Sequence, residues 1–317
     1  MFKISDFSNG VYTIKFTELL KFKWDEIHST EDVFRYKIDK LEQRIVDNKY
    51  FLQLNPDRQA KRRPPEEITS ISQPFDRNKF NFTKISANEV LFILTDDDSG
   101  IHSVIVNVSP ISRYHSLLCP SVNKCLPQVI TAESLTLAIN VMFLTEDQDL
   151  RILFNSLSGF ASVNHLHYHL FFDNNDFYVE SVKWHHLIGN IYQLDHNYPV
   201  PAFCFQVQKY GIEQTTQDIY KVIEYLIQRK TAHNILLTKR LCIDDTIKVL
   251  VWPRKSTEGA KQLDMLNVAV LELSGWFPVY DPESFKNLTA EDLEMALREW
   301  NIEDFDELCE EIKCLFL

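Results

Sequence analysis

Glycine is scarce in this chain, which has 7 glycines among 317 residues and no long tract of serine, glycine or proline. This composition excludes a collagen-like protein and argues against long flexible linkers. Hydrophobic residues make up 45% of the chain and aromatic residues 12%. We therefore expect a sizeable buried core, formed by one large domain or by two modest ones.

The chain also lacks a long hydrophobic run. A membrane-spanning helix needs about 18 or more consecutive apolar residues, and no such run occurs. Residues 1–6 lack the apolar core of a signal peptide. The sequence therefore predicts a protein that neither spans a membrane nor is secreted.

Cysteine pairs are absent as well, because the six cysteines are scattered and none forms a Cys-x-x-Cys motif. Their spacing predicts neither a disulfide scaffold nor a zinc knuckle. Reduced thiols in the cytoplasm fit this pattern best.

Positive charge is in deficit, with 33 Lys and Arg residues against 45 Asp and Glu residues and a net charge of -12. Such a field repels nucleic-acid backbones, so no nucleic-acid partner is predicted. A local basic pocket could still hold a small phosphorylated ligand.

Hydrophobic periodicity predicts the order of the helices and strands. A helical pattern covers residues 12–49, and a basic stretch interrupted by prolines follows at 55–65. A buried helix is predicted to begin at Thr131. Strands are predicted at residues 88–94, 102–108, 151–154, 165–172, 234–237 and 247–252, with a helix near 218–228 and a helical, acidic tail.

A domain boundary is predicted near residue 195, although no flexible linker marks it. The division assigns residues 1–195 to a catalytic domain with N-terminal helices and residues 196–317 to a C-terminal domain packed on it. The two parts could also share one core.

Three histidines alternate with other residues in the run His165-Leu166-His167-Tyr168-His169. On a strand, alternate side chains point the same way, so the imidazoles are expected on one face, about 6 to 7 Å apart. Neutral imidazole is a competent nucleophile near pH 7, and its neighbours can orient it or donate protons to phosphate oxygens. Two other interpretations remain, an exposed edge strand and a zinc site.

The segment from Ser162 to His169 resembles the signature of the histidine-triad (HIT) superfamily, in which histidines alternate with hydrophobic residues. Other segments are similar to the GDP-D-glucose phosphorylase family. They lie at residues 55–65, 74–84, 107–110 with His115 and Pro120, 155–157 and 251–256. The resemblance spans about residues 50–260 and is therefore far more specific than a lone triad.

The resemblance implies an α+β, HIT-like fold, with a mainly antiparallel sheet, flanking helices and a C-terminal α/β extension. It also implies a nucleotidyltransferase that converts GDP-glucose and inorganic phosphate to GDP and glucose 1-phosphate. His167 would attack the phosphorus next to guanosine, and phosphate would then capture the guanylylated histidine. HIT proteins often dimerise through the sheet, so a homodimer is an option, but the chain has no self-complementary edge that predicts one.

The resemblance assigns roles to the residues around His167. His165 would hold His167 in the right tautomer or position, and His169 would contact phosphate or the leaving oxygen. Ser162 matches a serine that steadies phosphate oxygens, with an ordinary turn residue as the alternative. Asn155 matches an asparagine near phosphate or ribose.

Three further residues are candidates for the same site. His115 matches a histidine in the superfamily's upstream His-x-hydrophobic-hydrophobic-x-Pro pattern and would complete the histidine cluster. The alternative is a half-buried structural histidine. Arg63 and Lys79 lie in segments that resemble the family's and would offset the charge of a diphosphate, unless they are solvated surface charges.

His169 departs from the pattern of the transferases. Galactose-1-phosphate uridylyltransferase and the plant GDP-L-galactose phosphorylases have glutamine at this position, whereas histidine is typical of HIT hydrolases. A nucleotide hydrolase therefore remains an alternative, and a guanine-nucleotide release factor without catalysis is a third. The uridylyltransferases bind zinc through an upstream cysteine pair that this chain lacks, so neither a metal nor a cofactor is predicted.

Overall fold

A single large sheet runs through the computed structural model, which describes residues 1–30, 32–38, 41–64, 66–96, 100–243, 245–257 and 266–317. Within these residues eleven strands form the sheet, and neighbours are antiparallel except the first pair. From edge to edge the strands are β1 (Phe2–Lys3), β4 (Val90–Thr95), β5 (Ile101–Val106), β6 (Ser116–Cys119), β8 (Tyr168–Phe172), β7 (Leu150–Asn155), β12 (Ala232–Thr238), β13 (Thr246–Arg254), β11 (Phe203–Gln208), β10 (Ile191–Leu194) and β9 (Trp184–Ile188).

Each face of the sheet is covered by a different layer. Five helices pack on one face: α1 (Ile4–Ser8), α2 (Phe16–His28), α4 (Ala132–Leu144), α5 (Ile212–Gln228) and α9 (Phe305–Leu315). The other face carries a small sheet of β14 (Trp276–Val279), β3 (Tyr50–Leu54) and β2 (Gln43–Val46), together with α6 (Val270–Leu273), α7 (Pro282–Asn287) and α8 (Ala290–Arg298). The helix α3 (Pro56–Lys61) follows β3, and short 3₁₀ helices lie at Ala87–Glu89, Val122–Lys124, Leu157–Gly159 and Tyr178–Ser181.

The alternation of side chains along two central strands decides which face carries the candidate site. On β8, Leu170 lies in the core under the helices and Phe171 in the core under the small sheet. His169 is two residues from Phe171 and therefore points toward the small sheet. On β7, Leu153 lies in that same core, and Asn155 is two residues further on. The two polar side chains thus share the face opposite α4 and α5.

Most of the predicted elements are confirmed. Strands occupy 90–95, 101–106, 150–155, 232–238 and 246–254, and the predicted helix near 218–228 is the C-terminal part of α5. The predicted helix start is also confirmed, because the Oγ1 of Thr131 accepts a hydrogen bond from the amide of Ser134 at 3.2 Å and caps α4.

The predicted helical pattern over residues 12–49 is wrong beyond His28, where α2 ends. Residues 31, 39 and 40 lie outside the described residues, as does residue 65 of the basic stretch, but 32–38 form no helix and 43–54 form a hairpin. Its turn contains Asp47 and Asn48, with φ of 52° and 51°. Aspartate and asparagine tolerate this left-handed backbone, so the pair was the missed signal of a turn.

The predicted strand over residues 165–172 is wrong for its first three residues. Regular pairing begins at Tyr168, because a loop supplies the hydrogen bonds before it. The amide of Leu166 donates to the Leu126 carbonyl at 2.9 Å, and the amide of His167 donates to the Oε1 of Gln128 at 2.8 Å. The three imidazoles therefore do not line up on one strand.

Strands from both sides of residue 195 share the large sheet, since β9 and β10 precede it and β11 to β13 follow it. The division of the chain at 195 stays a prediction. None of the described helices combines the length and the apolarity needed to cross a bilayer.

Acid should destabilise the fold through buried neutral histidines. Burial lowers the pKa of His233, on β12, to about 4. Because the unfolded chain then binds more protons than the folded one, stability is lost as the pH falls from about 6.5 toward 4, by about 2 kcal/mol at pH 5 for this one group. Between pH 7 and pH 5, urea unfolding should show a smaller decrease in the free energy of unfolding for His233→Phe than for the unaltered chain.

The exposed His186 offers the matched control, and His186→Asn should keep the original difference between the two pH values. An equal loss of unfolding free energy in His233→Phe and in the unaltered chain would contradict the assignment.

Candidate active site

Two cavities meet beside the start of β8, and Arg58, Arg62, Ser162 and His169 line both of them. We call the cavity that includes His167 the first cavity and the one that includes His115 and Asn155 the second cavity. They hold about 830 Å³ and about 680 Å³ of space, counting the parts open to solvent.

The ring of His167 is held in one tautomer. Its Nδ1 lies 2.8 Å from the carbonyl oxygen of His165. A carbonyl oxygen can only accept, so Nδ1 carries the proton and donates it. In the neutral ring the lone pair is therefore on Nε2, which makes Nε2 the nucleophilic atom.

The backbone of His167 is held by the side-chain amide of Gln128, which is 1% exposed. Its Oε1 accepts from the His167 amide at 2.8 Å, and its Nε2 donates to the carbonyls of His167 and Asn155, both at 3.0 Å. The backbone amide of Gln128 donates in turn to the Oδ1 of Asn164 at 2.9 Å. Both peptide groups of His167 are thus fixed before any ligand arrives.

The imidazole ring of His165 has a structural role, because both of its nitrogens bond backbone groups. The Phe82 amide donates to its Nδ1 at 3.0 Å, and its Nε2 donates to the Val122 carbonyl at 3.1 Å. The ring is 0% exposed, and burial lowers its pKa to about 4. The predicted role of holding the tautomer of His167 is performed here by the carbonyl of His165 and not by its imidazole.

His115 and His169 form a chain of directed hydrogen bonds. The Ile111 amide donates to the Nδ1 of His115 at 3.0 Å, so neutral His115 carries its proton on Nε2. This Nε2 lies 3.0 Å from the Nδ1 of His169 and donates to it. The Nδ2 of Asn107 lies 3.3 Å from the same nitrogen, but the Ile111 backbone amide can only donate, so it decides the tautomer of His115. Neutral His169 must then carry its proton on Nε2.

This series of hydrogen bonds keeps His169 a hydrogen-bond donor. Burial, with a further contribution from Arg58, holds the pKa of His115 well below its usual range. A second proton on the Nδ1 of His169 would face the N–H of His115, and His115 cannot reverse because its own Nδ1 faces an amide. Neutral His169 is therefore a hydrogen-bond donor through Nε2.

Arg58 of α3 and Arg62, the residue that ends this helix, lie on the wall between the cavities. The helix begins sharply because Asn55 caps it through the Arg58 amide, at 3.1 Å, and Pro56 occupies its first turn. Arg58 and Arg62 are four residues apart and so lie on the same side. The Nε and Nη2 of Arg62 are buried without a hydrogen-bond partner among the described residues, and burial lowers its pKa. Unsatisfied guanidinium donors of this kind suit a phosphate.

The two cations selected from the sequence differ in position. Arg63 lines the first cavity, with its guanidinium 3.1 Å from the centre of the Phe80 ring, and burial lowers its pKa to about 10. Lys79 lines neither cavity. Its Nζ pairs with Glu66 at 3.0 Å, and Glu66 accepts from the Asn164 amide at 3.3 Å. Lys79 thus supports the loop beside Gln128.

Ser162 and Asn155 both reach the cavities. Ser162 is exposed and lies on the shared wall. Asn155 lines the second cavity, where its Oδ1 accepts from the Nδ2 of Asn234 at 2.5 Å and from the Val270 amide at 3.0 Å. Asn155 therefore joins β7 to β12 and to the start of α6.

The sequence analysis assigned no role to Gln128, Arg58, Glu272 or Tyr280, which the fold brings to the site. The capping asparagine and proline before Arg58, with Arg62 one helical turn later, would have indicated a paired cation face. Nothing in the local sequence marks Gln128, because its partners lie about 40 residues away.

A separate surface cluster joins His185, Asp195 and His196, whose polar atoms lie within 4.8 Å of one another. The Asp195 carboxylate already accepts from the Nε2 of His185 at 2.8 Å and from the Asn197 amide at 2.9 Å. This hydrogen bonding, led by His185, lowers the pKa of Asp195 to about 2. The absence of a structural metal stays a prediction.

Two family models cover most of the chain. Residues 15–171 match "GDPGP1-like, N-terminal domain" and residues 182–316 match "GDPGP1-like, C-terminal domain". GDP-D-glucose phosphorylase 1 of Danio rerio is 36% identical over 317 residues, covering 95% of this chain and 92% of that protein. The Homo sapiens protein of the same name is 34% identical over 277 residues, covering 81% and 72%. GDP-L-galactose phosphorylase 2 of Arabidopsis thaliana is 38% identical over 172 residues, covering 48% and 40%.

The fold is similar to that of yeast Ap4A phosphorylase in complex with AMP. The TM-score is 0.62 at 20% identity, with 90% of this chain and 98% of that chain covered. The expected α+β fold of the HIT type is confirmed, as is the resemblance to the GDP-D-glucose phosphorylase family.

The hydrogen-bond chain predicts one tautomer for His169. Nitrogen-15 spectra of the histidine-labelled protein at pH 7 should show His169 protonated at Nε2, with the signal assigned through His169→Gln. His115→Phe removes the donor to Nδ1, so the variant should show a mixture of tautomers. His186→Asn is the control, and a His169 protonated at Nδ1 in the unaltered chain would refute the scheme.

Proposed function

Because the chain belongs to the GDPGP1-like family, we propose that it is a GDP-D-glucose phosphorylase working through a guanylylated histidine. Its substrates are GDP-glucose and inorganic phosphate, and its products are GDP and glucose 1-phosphate. The observation that carries the mechanism is the junction of the cavities, where His167 with its lone pair on Nε2 lies beside the unpaired donors of Arg62.

The first displacement transfers the guanylyl group to the protein. The Nε2 of His167 attacks the phosphorus bonded to guanosine, and a P–N bond forms as the P–O bond to glucose 1-phosphate breaks. The electron pair leaves on the phosphate oxygen, where the Arg62 guanidinium and the Nε2–H of His169 stabilise the negative charge. Ser162, on the shared wall, is placed to donate to the same oxygens.

The second displacement reverses the first with a new acceptor. An oxygen of inorganic phosphate attacks the same phosphorus, the P–N bond breaks, and GDP forms while Nε2 recovers its lone pair. The leaving glucose 1-phosphate and the entering phosphate each present a phosphate group to the same place. One anion site at Arg62 therefore serves both half-reactions.

The state of His169 favours phosphorolysis over hydrolysis. Water is a poor nucleophile that needs a base, and a base at this position would need a lone pair on the Nε2 of His169. The hydrogen bond from His115 to Nδ1 keeps the proton on Nε2 instead. His169 then does what the side-chain amide of a glutamine can do, which is to donate a hydrogen bond without exchanging a proton.

We also propose that the enzyme is cytoplasmic and that residues 1–195 form its catalytic domain. The six cysteines, which lie within the described residues, are unpaired, as a reducing compartment requires. Homodimer formation and the lack of a nucleic-acid partner stay predictions.

Turnover should depend on both phosphate and His167. Purified protein with GDP-glucose and phosphate should form GDP and glucose 1-phosphate in equal amounts, followed by chromatography. His167→Asn removes the nucleophile and should lower kcat at least about a thousandfold, while the exposed His186→Asn should not change it. GMP formed equally well without phosphate would indicate a hydrolase. No turnover at all would favour the guanine-nucleotide release factor without catalysis.

Arg62 should govern the affinity for phosphate. Loss of a charge-assisted hydrogen bond in Arg62→Gln should raise the KM for inorganic phosphate by about 10- to 100-fold. Lys61 on the same helix pairs with Asp57 at 3.0 Å and lines neither cavity, so Lys61→Gln is the matched control. Equal KM values for phosphate in the two variants would contradict the anion site.

A further inference from the structure

We propose that the second cavity is a hexose subsite, in which the carboxylate of Glu272 accepts hydrogen bonds from hydroxyls of the sugar. The inference rests on the proposed phosphorylase function and adds the residues that read the sugar. Glu272 lies outside the histidine run and outside the short segments that first indicated the family, although the C-terminal family model covers it.

The position of the nucleophile assigns the first cavity to the nucleoside. The guanylyl group stays bonded to His167 between the two displacements, so guanosine must occupy a cavity that His167 lines, and only the first cavity satisfies this among the two. One part of its wall is suited to a flat purine because it is apolar: Phe80, Phe82, Ile85, Ile105, Val106 and Leu117. The leaving group then lies across the wall of Arg58, Arg62, Ser162 and His169.

The second cavity begins at that wall, and its lining differs from that of the first cavity. Its lining also includes Asn267, Glu272 and Tyr280, which all come from the C-terminal part of the chain. An amide, a carboxylate and a phenol match a ligand rich in hydroxyl groups, because each can bond an O–H. A hexose joined to the phosphate at Arg62 presents such hydroxyls a few bonds from the anion site.

Glu272 is held firmly at the edge of this cavity. The residue is 7% exposed, and its Oε2 accepts from the Ala269 amide at 2.9 Å. The helix α6 that carries it is joined to β7 by the hydrogen bond between the Val270 amide and Asn155. The buried guanidinium of Arg254, which donates to the Val268 carbonyl, adds a positive charge near the carboxylate. A rigid acceptor in a partly desolvated cavity discriminates strongly among hydroxyl patterns.

Tyr280 connects the sugar side to the phosphate side. The Arg62 guanidinium lies 5.5 Å from the centre of its ring, and its phenol helps to raise the pKa of the neighbouring Arg58. The phenolic O–H remains a donor toward the cavity that it lines. The hexose is thereby placed between Tyr280 and Glu272, both of which have electrostatic contact with the Arg62 of the anion site.

Two isotope-exchange reactions separate the hexose from the rest of the mechanism. Exchange of labelled phosphate into GDP uses His167, the nucleoside cavity and the anion site but no sugar. Exchange of labelled glucose 1-phosphate into GDP-glucose uses all of these and the hexose subsite. Comparison of the two rates in one variant therefore isolates contacts made only to the sugar.

The main variant is Glu272→Gln, which keeps an oxygen to cap the Ala269 amide. We expect the glucose 1-phosphate exchange to fall about 10-fold or more, while the phosphate exchange stays within about twofold, which also reports an intact fold. Asn107→Ala, in the nucleoside cavity, should lower both exchanges. Glu283→Gln, on the exposed side of α7, is the matched control and should lower neither.

Each other result overturns the assignment. If both exchanges fall equally in Glu272→Gln, the carboxylate acts on the shared guanylyl chemistry or on the fold, and if neither falls, it does not contact the sugar. A lack of phosphate exchange into GDP in the unaltered protein would instead reject the guanylyl-histidine mechanism itself. Failure of the subsite and failure of the proposed function are therefore distinguishable.

Discussion

The hydrogen bond from the Nδ1 of His167 to the carbonyl of His165 is the constraint on which the site depends. It leaves the lone pair on Nε2, and it requires a backbone path that a regular strand would not provide. Gln128 maintains this path by bonding both the amide and the carbonyl of His167. The ring of His167 is therefore oriented by main-chain geometry, and the regular pairing of β8 begins after it, at Tyr168.

Hydrogen bonds also fix the positions of the ring protons in the other histidines of the cluster. His165 bonds a backbone group through each ring nitrogen, and His115 bonds a backbone amide and His169. Burial lowers the pKa of both, so each ring stays neutral and each tautomer is dictated by a fixed partner. In this site positive charge comes from Arg58 and Arg62, which do not titrate near pH 7. The division suits phosphoryl transfer, in which charge must be stabilised while protons stay in place.

The large sheet explains how distant segments supply these parts. His169, Asn155 and the residues around His115 come from the adjacent strands β8, β7 and β6, so their side chains are neighbours by register. The arginines arrive on α3, which follows the small sheet across that face, and Glu272 arrives on α6, just before β14. Each cavity is therefore a product of layer packing, and no single segment of the chain contains it.

The sequence by itself determined the strands β4, β5, β7, β12 and β13, the capped start of α4 and the family, because these depend on local periodicity, local capping or a specific motif. The role of His167 stays a prediction from that motif. The sequence did not determine the hairpin after α2, the departure of residues 165–167 from the strand, or the roles of Gln128 and Glu272. Those depend on partners far apart in sequence: Gln128 contacts His167 across 39 residues, and Val270 contacts Asn155 across 115. Only the tertiary structure decided which ring nitrogens carry protons, because a tautomer is selected by the groups packed around the ring.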